Sequence, residues 1–195
     1  MKRNIIVAKK ALSADLCNTI IERAKVTFNT PTTFGFQKAF TGDKDATNSW
    51  RQSEVSWLIG ELKHLDIYLP IFQLIQKVNT EFYFFDLMNT EPFQVSKYDE
   101  RNQGFYKPHE DGYYDNEPQN ATVRKLSMSI QLTSPENYEG GTMEFPDDVD
   151  KFNVEDSMEQ GTAIFFPSYI KHAVNPVTKG TRYSLVCWLH GPNFK

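Results

Sequence analysis

Between Leu126 and Thr133 the chain alternates without interruption, with Leu126, Met128, Ile130 and Leu132 on one parity and Ser127, Ser129, Gln131 and Thr133 on the other. A period of two is the signature of a β-strand, so this strand has two chemically opposite faces. A strand from the middle of a single-core domain belongs inside it. Its polar face must then line something other than a close-packed core, and the pattern predicts a sheet with one face packed and the other turned toward a cavity. The same period sets Phe93, Val95 and Lys97 against Gln94, Ser96 and Tyr98, which puts Tyr98 on a polar strand face.

Further strands are predicted over 142–145, 162–166 and 181–189, the first of them after a tight turn at Gly140-Gly141. Phe82, Phe84, Asp86 and Met88 alternate with Tyr83, Phe85 and Leu87, predicting one more strand before the turn Asn89-Thr90-Glu91-Pro92. The N-terminal part has a different period. Ser13 is placed to cap a helix carrying Asp15 in its first turn and Leu16, Ile20, Ile21 and Ala24 on one face, running to about Thr27. Residues 29–53 carry no sustained periodicity and read as a long irregular connection with room for short strand pieces. Leu58, Leu62 and Leu65, then Ile71, Leu74, Ile75 and Val78, predict two helices separated near Pro70.

Helices followed by a run of short strands make the fold class α+β, with a double-stranded β-helix (jelly roll) core supported by N-terminal helices. A chain of 195 residues suits one structural domain, divided into a helical support with its connection over 1–80 and the core over 81–195. The net charge of −4 and the lack of a basic stripe argue against nucleic acid as a partner. No apolar run approaches the roughly 20 residues needed to span a bilayer. Cys17 and Cys187 form neither a CxxC site nor a disulfide framework. A soluble, intracellular, cytoplasmic protein without a membrane partner is the expectation.

Within the strand-rich half lie His109, Asp111, His172 and Arg182. His109 and Asp111 are two residues apart, so on one strand both point the same way, and His172 arrives from another strand after the corner Phe165-Phe166-Pro167-Ser168. An HxD pair alone is more often coincidence than a site. Two imidazoles and one carboxylate on one face of an ion are nevertheless the ligand set of non-haem Fe(II), which leaves open positions for a bidentate 2-oxo acid and O₂. Arg182 shares a strand face with Ser184, Val186 and Trp188. Its guanidinium could grip a carboxylate through two parallel hydrogen bonds. His64, beside Leu62 and Leu65, reads as a surface or satisfied histidine, and His190 as a packing residue rather than a ligand.

These residues carry a resemblance. Tyr98 with Gly104, Tyr106-x-x-His109-x-Asp111, Arg124-Lys125-Leu126-Ser127, Tyr138-Glu139-Gly140-Gly141-Thr142, Gly161-x-Ala163-x-Phe165-Phe166-Pro167-Ser168 and the run from His172 through Arg182-Tyr183-Ser184 to Trp188 resemble the catalytic core of the prolyl 4-hydroxylase-like Fe(II)/2-oxoglutarate dioxygenases. The likeness is strongest to the bacterial and viral PKHD-type hydroxylases. Arg51-Gln52-Ser53 before Trp57-Leu58 is similar to an R-x-S segment of the same family.

The resemblance implies His109, Asp111 and His172 as metal ligands and Arg182 as the residue holding the distal carboxylate of 2-oxoglutarate. It implies that Tyr98 hydrogen-bonds this cosubstrate, with Ser129 or Gln131 lining the same pocket, and that Arg124 and Trp188 stand near a peptide-substrate groove. Fe(II), 2-oxoglutarate and O₂ would be required, with ascorbate as reductant. Collagen-type enzymes carry lysine where Arg182 stands, so the arginine points to the sensor-type and PKHD-type branches. The stretch 112–123 (GYYDNEPQNATV) is longer than in the sensor-type branch, and Tyr113 and Tyr114 in it suit a substrate lid. The implied reaction is hydroxylation of an unactivated C–H bond, most plausibly C4 of a prolyl residue in a proline-containing protein or peptide. Hydroxylation of a free amino acid or other small molecule is the alternative. A non-catalytic jelly-roll binding module has no need for both a metal site and an anion clamp, and nucleic-acid demethylation is disfavoured by the acidic balance and by the absence of any arginine after Arg182.

Overall fold

A computed structural model of the chain describes residues 5–28, 36–38, 50–60, 62–112, 122–147 and 152–193. In chain order the elements are β1 (Ile6–Ala8), α1 (Ala14–Phe28), β2 (Phe36–Lys38), β3 (Arg51–Gln52), β4 (Glu54–Leu58), α2 (Leu65–Val78), β5 (Asn89–Thr90), β6 (Phe93–Asp99), β7 (Phe105–His109), β8 (Val123–Gln131), β9 (Tyr138–Gly140), β10 (Met143–Glu144), α3 (Val154–Met158), β11 (Ala163–Pro167), β12 (His172–Val174) and β13 (Val177–Gly191). The large sheet runs β1-β11-β8-β13-β6-β4-β2, with β5 and β9 also paired to β13, and the small sheet runs β10-β12-β7-β3. All pairings are antiparallel. The architecture is a jelly-roll core with few helices.

Helices α1 and α2 cover the outer face of the large sheet. The Ser13 hydroxyl accepts the Leu16 N–H at 3.2 Å and caps α1, and Cys17, Ile20, Ile21 and Ala24 of that helix are buried in one cluster with Leu126, Met128, Ile130, Leu132 and Leu185 of the sheet. From α2 the same cluster takes Ile67, Tyr68, Ile71, Ile75 and Val78.

Three sequence expectations are corrected here. Leu58 does not open a helix: it ends β4, where Glu54–Leu58 pair with Phe93–Lys97 of β6. Pro70 does not divide two helices, because α2 runs through it unbroken. An interior proline costs about 3 kcal/mol, while each large aliphatic side chain fully buried contributes about 1.5–3 kcal/mol, so the row Ile67, Ile71, Ile75 outweighs the lost hydrogen bond. Residues 82–88 do not form a strand. Their alternation is expressed in burial, with Tyr83, Phe85 and Leu87 packed on the core and Phe84 and Met88 about two-thirds exposed. No ladder forms because the Asn79 side chain takes the backbone of Phe85, accepting its N–H at 3.0 Å and donating to its C=O at 2.9 Å, and Phe84 turns left-handed with φ 57°.

Strands β3 and β4 tie the two sheets together. Arg51 pairs with Tyr106 in the small sheet, and two residues after Gln52 the chain is already paired in the large one. Between the sheets lies a cavity of about 700 Å³.

Candidate metal centre

His109 ends β7 and His172 opens β12, and the two are directly opposite in the small sheet. Asp111 follows β7 and is fixed through its backbone: the N–H groups of Asp111 and Gly112 both donate to Ser168 O at 2.9 Å. The corner that carries Ser168 is thereby coupled to the HxD segment. Nε2 of His109 lies 3.7 Å from Oδ1 of Asp111, and Nε2 of His172 lies 3.6 Å from Oδ2. These distances are too long for hydrogen bonds. All three ligand atoms lie within 4.8 Å of one another, a spacing that suits three donors around one ion.

Protonation is arranged for the same purpose. The Nδ1 of His109 faces Lys107 O at 2.8 Å, and that of His172 faces Ile170 O at 3.0 Å. A carbonyl only accepts, so in each ring Nδ1 carries the proton and the Nε2 lone pair is left for a metal. Burial, and then the neighbouring charge of His172, push the His109 pKa down to about 4, so the ring is neutral at ordinary pH. Burial raises the Asp111 carboxyl, but the two imidazoles outweigh it and hold the pKa below the usual carboxylate value. Trp188 and Ser127 also lie beside that carboxylate and favour its charged form. Neither Oδ2 of Asp111 nor Nε1 of Trp188 closes a hydrogen bond of normal geometry among the described residues.

Arg182, on β13, lies on the facing sheet and is 4 % exposed. Its Nε donates to Gln131 Oε1 at 2.9 Å, its guanidinium carbon is 5.6 Å from the centre of the Tyr98 ring, and its NH1 has no partner among the described residues. An uncompensated guanidinium facing a cavity is costly to keep, and an entering carboxylate would offset that cost. Tyr98, Ser129 and Ser184 line the cavity beside it. Gln131 stands behind Arg182 and steadies it, its own amide donating to Thr133 O at 2.8 Å.

At the other end of the cavity Arg124 forks onto Glu91 at 2.6 and 2.7 Å and lies 4.2 Å over the Trp188 ring. Glu91 also holds Nε2 of His190 at 2.8 Å, which leaves His190 outside the metal cluster. His64 is buried, 3.4 Å from the Arg23 guanidinium. Tyr113 and Tyr114 lie outside the described residues, as does most of the expected lid 112–123, of which only 112, 122 and 123 are described. Sequence reasoning missed Glu91, Gln94 and Ser96, all of which line the cavity. For Gln94 and Ser96 the signal was present, since both alternate with apolar Phe93 and Val95, whereas Glu91 in a turn gave none.

The donor set and the two unpartnered polar groups, Asp111 Oδ2 and Arg182 NH1, fit an Fe(II) ion and a dicarboxylate bound together. Comparison with known proteins agrees. Residues 93–190, half of the chain, match the family model described as the 2OG-Fe(II) oxygenase superfamily. PKHD-type hydroxylase YbiX of Escherichia coli is 33% identical over 90 residues, which cover 46% of this chain and 39% of that protein, and its counterpart in Shigella dysenteriae matches to the same extent. The chain thus spans about two-fifths of the length of these curated relatives. Among solved structures, the viral collagen prolyl hydroxylase of Paramecium Bursaria Chlorella virus-1, in complex with 2OG, aligns with a TM-score of 0.71 at 22% identity, over 97% of both chains. A Pseudomonas putida prolyl-4-hydroxylase aligns with a TM-score of 0.68 at 20% identity, covering 97% of this chain and 94% of that one. A Trichoplax adhaerens prolyl hydroxylase, in complex with a hypoxia inducible factor peptide fragment, gives 0.71 at 14%, covering 95% and 83%.

Proposed function

The chain belongs to the 2OG-Fe(II) oxygenase superfamily, and from that membership we propose that this 2-oxoglutarate-dependent dioxygenase hydroxylates C4 of a prolyl residue in a protein or peptide. Bound at the site, Fe(II) with 2-oxoglutarate and O₂ supplies the oxidation of the C–H bond, one oxygen atom entering the product and the other the succinate formed as CO₂ leaves. The observation that carries the reading is the placement of His109, Asp111 and His172 on one wall of a single cavity that Arg182 also lines.

Each residue has a definite task. His109, Asp111 and His172 hold the metal through Nε2, a carboxylate oxygen and Nε2. Arg182, steadied by Gln131, takes the distal carboxylate, and Tyr98 and Ser129 border the same pocket. A guanidinium there fixes the direction of the dicarboxylate as well as its charge. Arg124, stacked on Trp188 and paired with Glu91, lines the same cavity and stands on the side proposed for an extended peptide.

The peptide reading is supported by the structural likeness to prolyl hydroxylases, one of them in complex with a peptide fragment. Cys17 and Cys187 are buried free thiols, in keeping with a reducing compartment, and we assign the protein to the cytoplasm. Among the described residues no helix is long and apolar enough to cross a membrane. The test is to incubate the protein with Fe(II), 2-oxoglutarate, ascorbate and proline-containing peptides, with free proline in parallel. Mass spectrometry should find one added oxygen on a peptidyl proline, with matching succinate. Product from free proline alone would move the substrate to the small-molecule class, and succinate formation equal with and without Fe(II) would end the oxygenase reading.

A further inference from the structure

His109 and Tyr106 are three residues apart on β7, and in a regular strand an odd spacing puts two side chains on opposite faces. Here their rings are stacked, with centroids 3.5 Å apart and planes 19° from parallel. The pairing of β7 with β12 explains this. His109 lies opposite His172 and Tyr106 opposite Val174, so three steps on β7 match two steps on β12 and the register shifts between the pairs. β7 therefore carries one extra residue, a β-bulge, in Lys107–Pro108. These two neighbours are both exposed where an unbroken strand would alternate. Pro108 has no N–H, so the bulge leaves no donor orphaned there. Bulges re-aim side chains, and this one brings Tyr106 and His109 onto the same cavity wall.

The Tyr106 ring is also packed against an arginine. Arg51, opposite Tyr106 in β3, lies with its guanidinium carbon 4.5 Å from the ring centre. That guanidinium is itself fixed, its Nε donating to Ser53 Oγ at 2.7 Å and its NH2 to Ser96 Oγ on β6 at 3.2 Å. Guanidinium, phenol and imidazole are thus in contact in series, anchored to the large sheet through Ser96 and ending at His109. Among the described residues His172 has no such stacked support: the nearest phenyl ring, that of Phe166, is tilted by 56° at 4.6 Å.

We propose that Tyr106, backed by Arg51 and brought into place by the β7 bulge, is a positioning residue that sets the ring plane of His109 and so pre-assembles the metal site. The Nδ1 bond to Lys107 O fixes one edge of the imidazole, and the stack removes the remaining freedom about that edge. Nε2 then points at Asp111 and His172 before any ion arrives. This rests on the metal-site reading above.

The experiment is titration of metal-free protein with Mn(II) and Co(II) by calorimetry, with the Co(II) visible absorption spectrum recorded alongside. Tyr106→Phe keeps the ring and should bind Co(II) like the wild type. Tyr106→Leu should bind roughly 10–100-fold more weakly, the range seen when a partner that orients a ligand is lost, with a changed Co(II) spectrum and an unchanged unfolding midpoint of the metal-free protein. If Tyr106→Leu fails to fold, Arg51→Gln serves in its place: it removes the cation but leaves Tyr106, and should weaken binding and shift the spectrum in the same direction. Wild-type affinity and spectrum in the tested variant would overturn the proposal, as would a Tyr106→Phe defect as large as that of Tyr106→Leu. A wild-type protein that binds neither ion would instead overturn the metal site itself.

Discussion

On β8, Leu126, Met128 and Ile130 are fully buried, and Ser127, Ser129 and Gln131 between them are 0, 6 and 3 % exposed. The two faces of the sheet are almost equally hidden from water, but they are hidden by different things. The apolar side is covered by α1 and α2 in close contact. The polar side encloses a cavity, where Arg182 NH1 and Asp111 Oδ2 lack partners among the described residues. Burial on the first side stabilises the fold. On the second it costs free energy that a bound ligand offsets, so stability and binding are assigned to opposite faces of the same strands.

Mutations that separate the two properties test this division. The largest effect is expected from Asp111→Ala, which should abolish Mn(II) binding in calorimetry while the metal-free protein still folds. Unchanged metal affinity in both Asp111→Ala and His172→Ala would refute the ligand assignment. Ile130→Ala, on the packed side, should lose about 2–5 kcal/mol in urea unfolding, with 2-oxoglutarate affinity of the folded protein intact. Arg182→Ala should show the reverse, losing about 2–5 kcal/mol of 2-oxoglutarate affinity, with stability changed by no more than about 1 kcal/mol. Arg182→Lys should lose less, and a wild type binding pyruvate as well as 2-oxoglutarate would contradict the clamp.

Acid should act through the cavity face. In the folded metal-free protein the His109 pKa is about 4 against an ordinary 6.5, because burial and then His172 oppose its charge. The unfolded chain therefore takes up a proton that the folded one does not, and stability should fall as pH drops from about 6.5 to about 4. Asp111, held below its usual 3.8, adds a further loss below that value. Denaturation of His109→Gln against pH should show a flatter profile across the first window. The smallest effect is expected of Ser129→Ala, about 0.5–1.5 kcal/mol in 2-oxoglutarate affinity and no shift in unfolding midpoint.

Elements whose partners are implied by their own pattern were legible in the sequence. The parity of residues 93–98 and 126–133 gave both faces of β6 and β8, and Ser13 gave the start of α1. His109, Asp111, His172 and Arg182 stood out because metal and carboxylate chemistry restricts residue type. Elements decided by distant contacts were not legible. Leu58 has helical spacing to Leu62 but is held by β6, Pro70 is tolerated because of what α2 buries, and Phe82–Met88 alternate yet give their backbone to Asn79. The stack of Tyr106 on His109 was hidden for a related reason: sequence spacing assumes an unbroken strand, and the bulge changes the parity between them.

Strand β13, residues 177–191, pairs with β5, β6, β8 and β9. Its contact between Arg182 and Tyr98 joins positions more than eighty residues apart. Contacts so distant in the chain close slowly, because loop entropy is lost before the pairing returns anything. During synthesis, β6 and β8 leave the ribosome long before the strand that lies between them. Until it arrives, each presents an open edge and an apolar face, the features that recruit wrong partners in a half-made protein. The proposed metal site needs His172 just before this strand and Arg182 within it, so on that reading iron and its cosubstrate bind only a finished fold, and refolding from denaturant should show binding competence returning no earlier than the slowest structural phase.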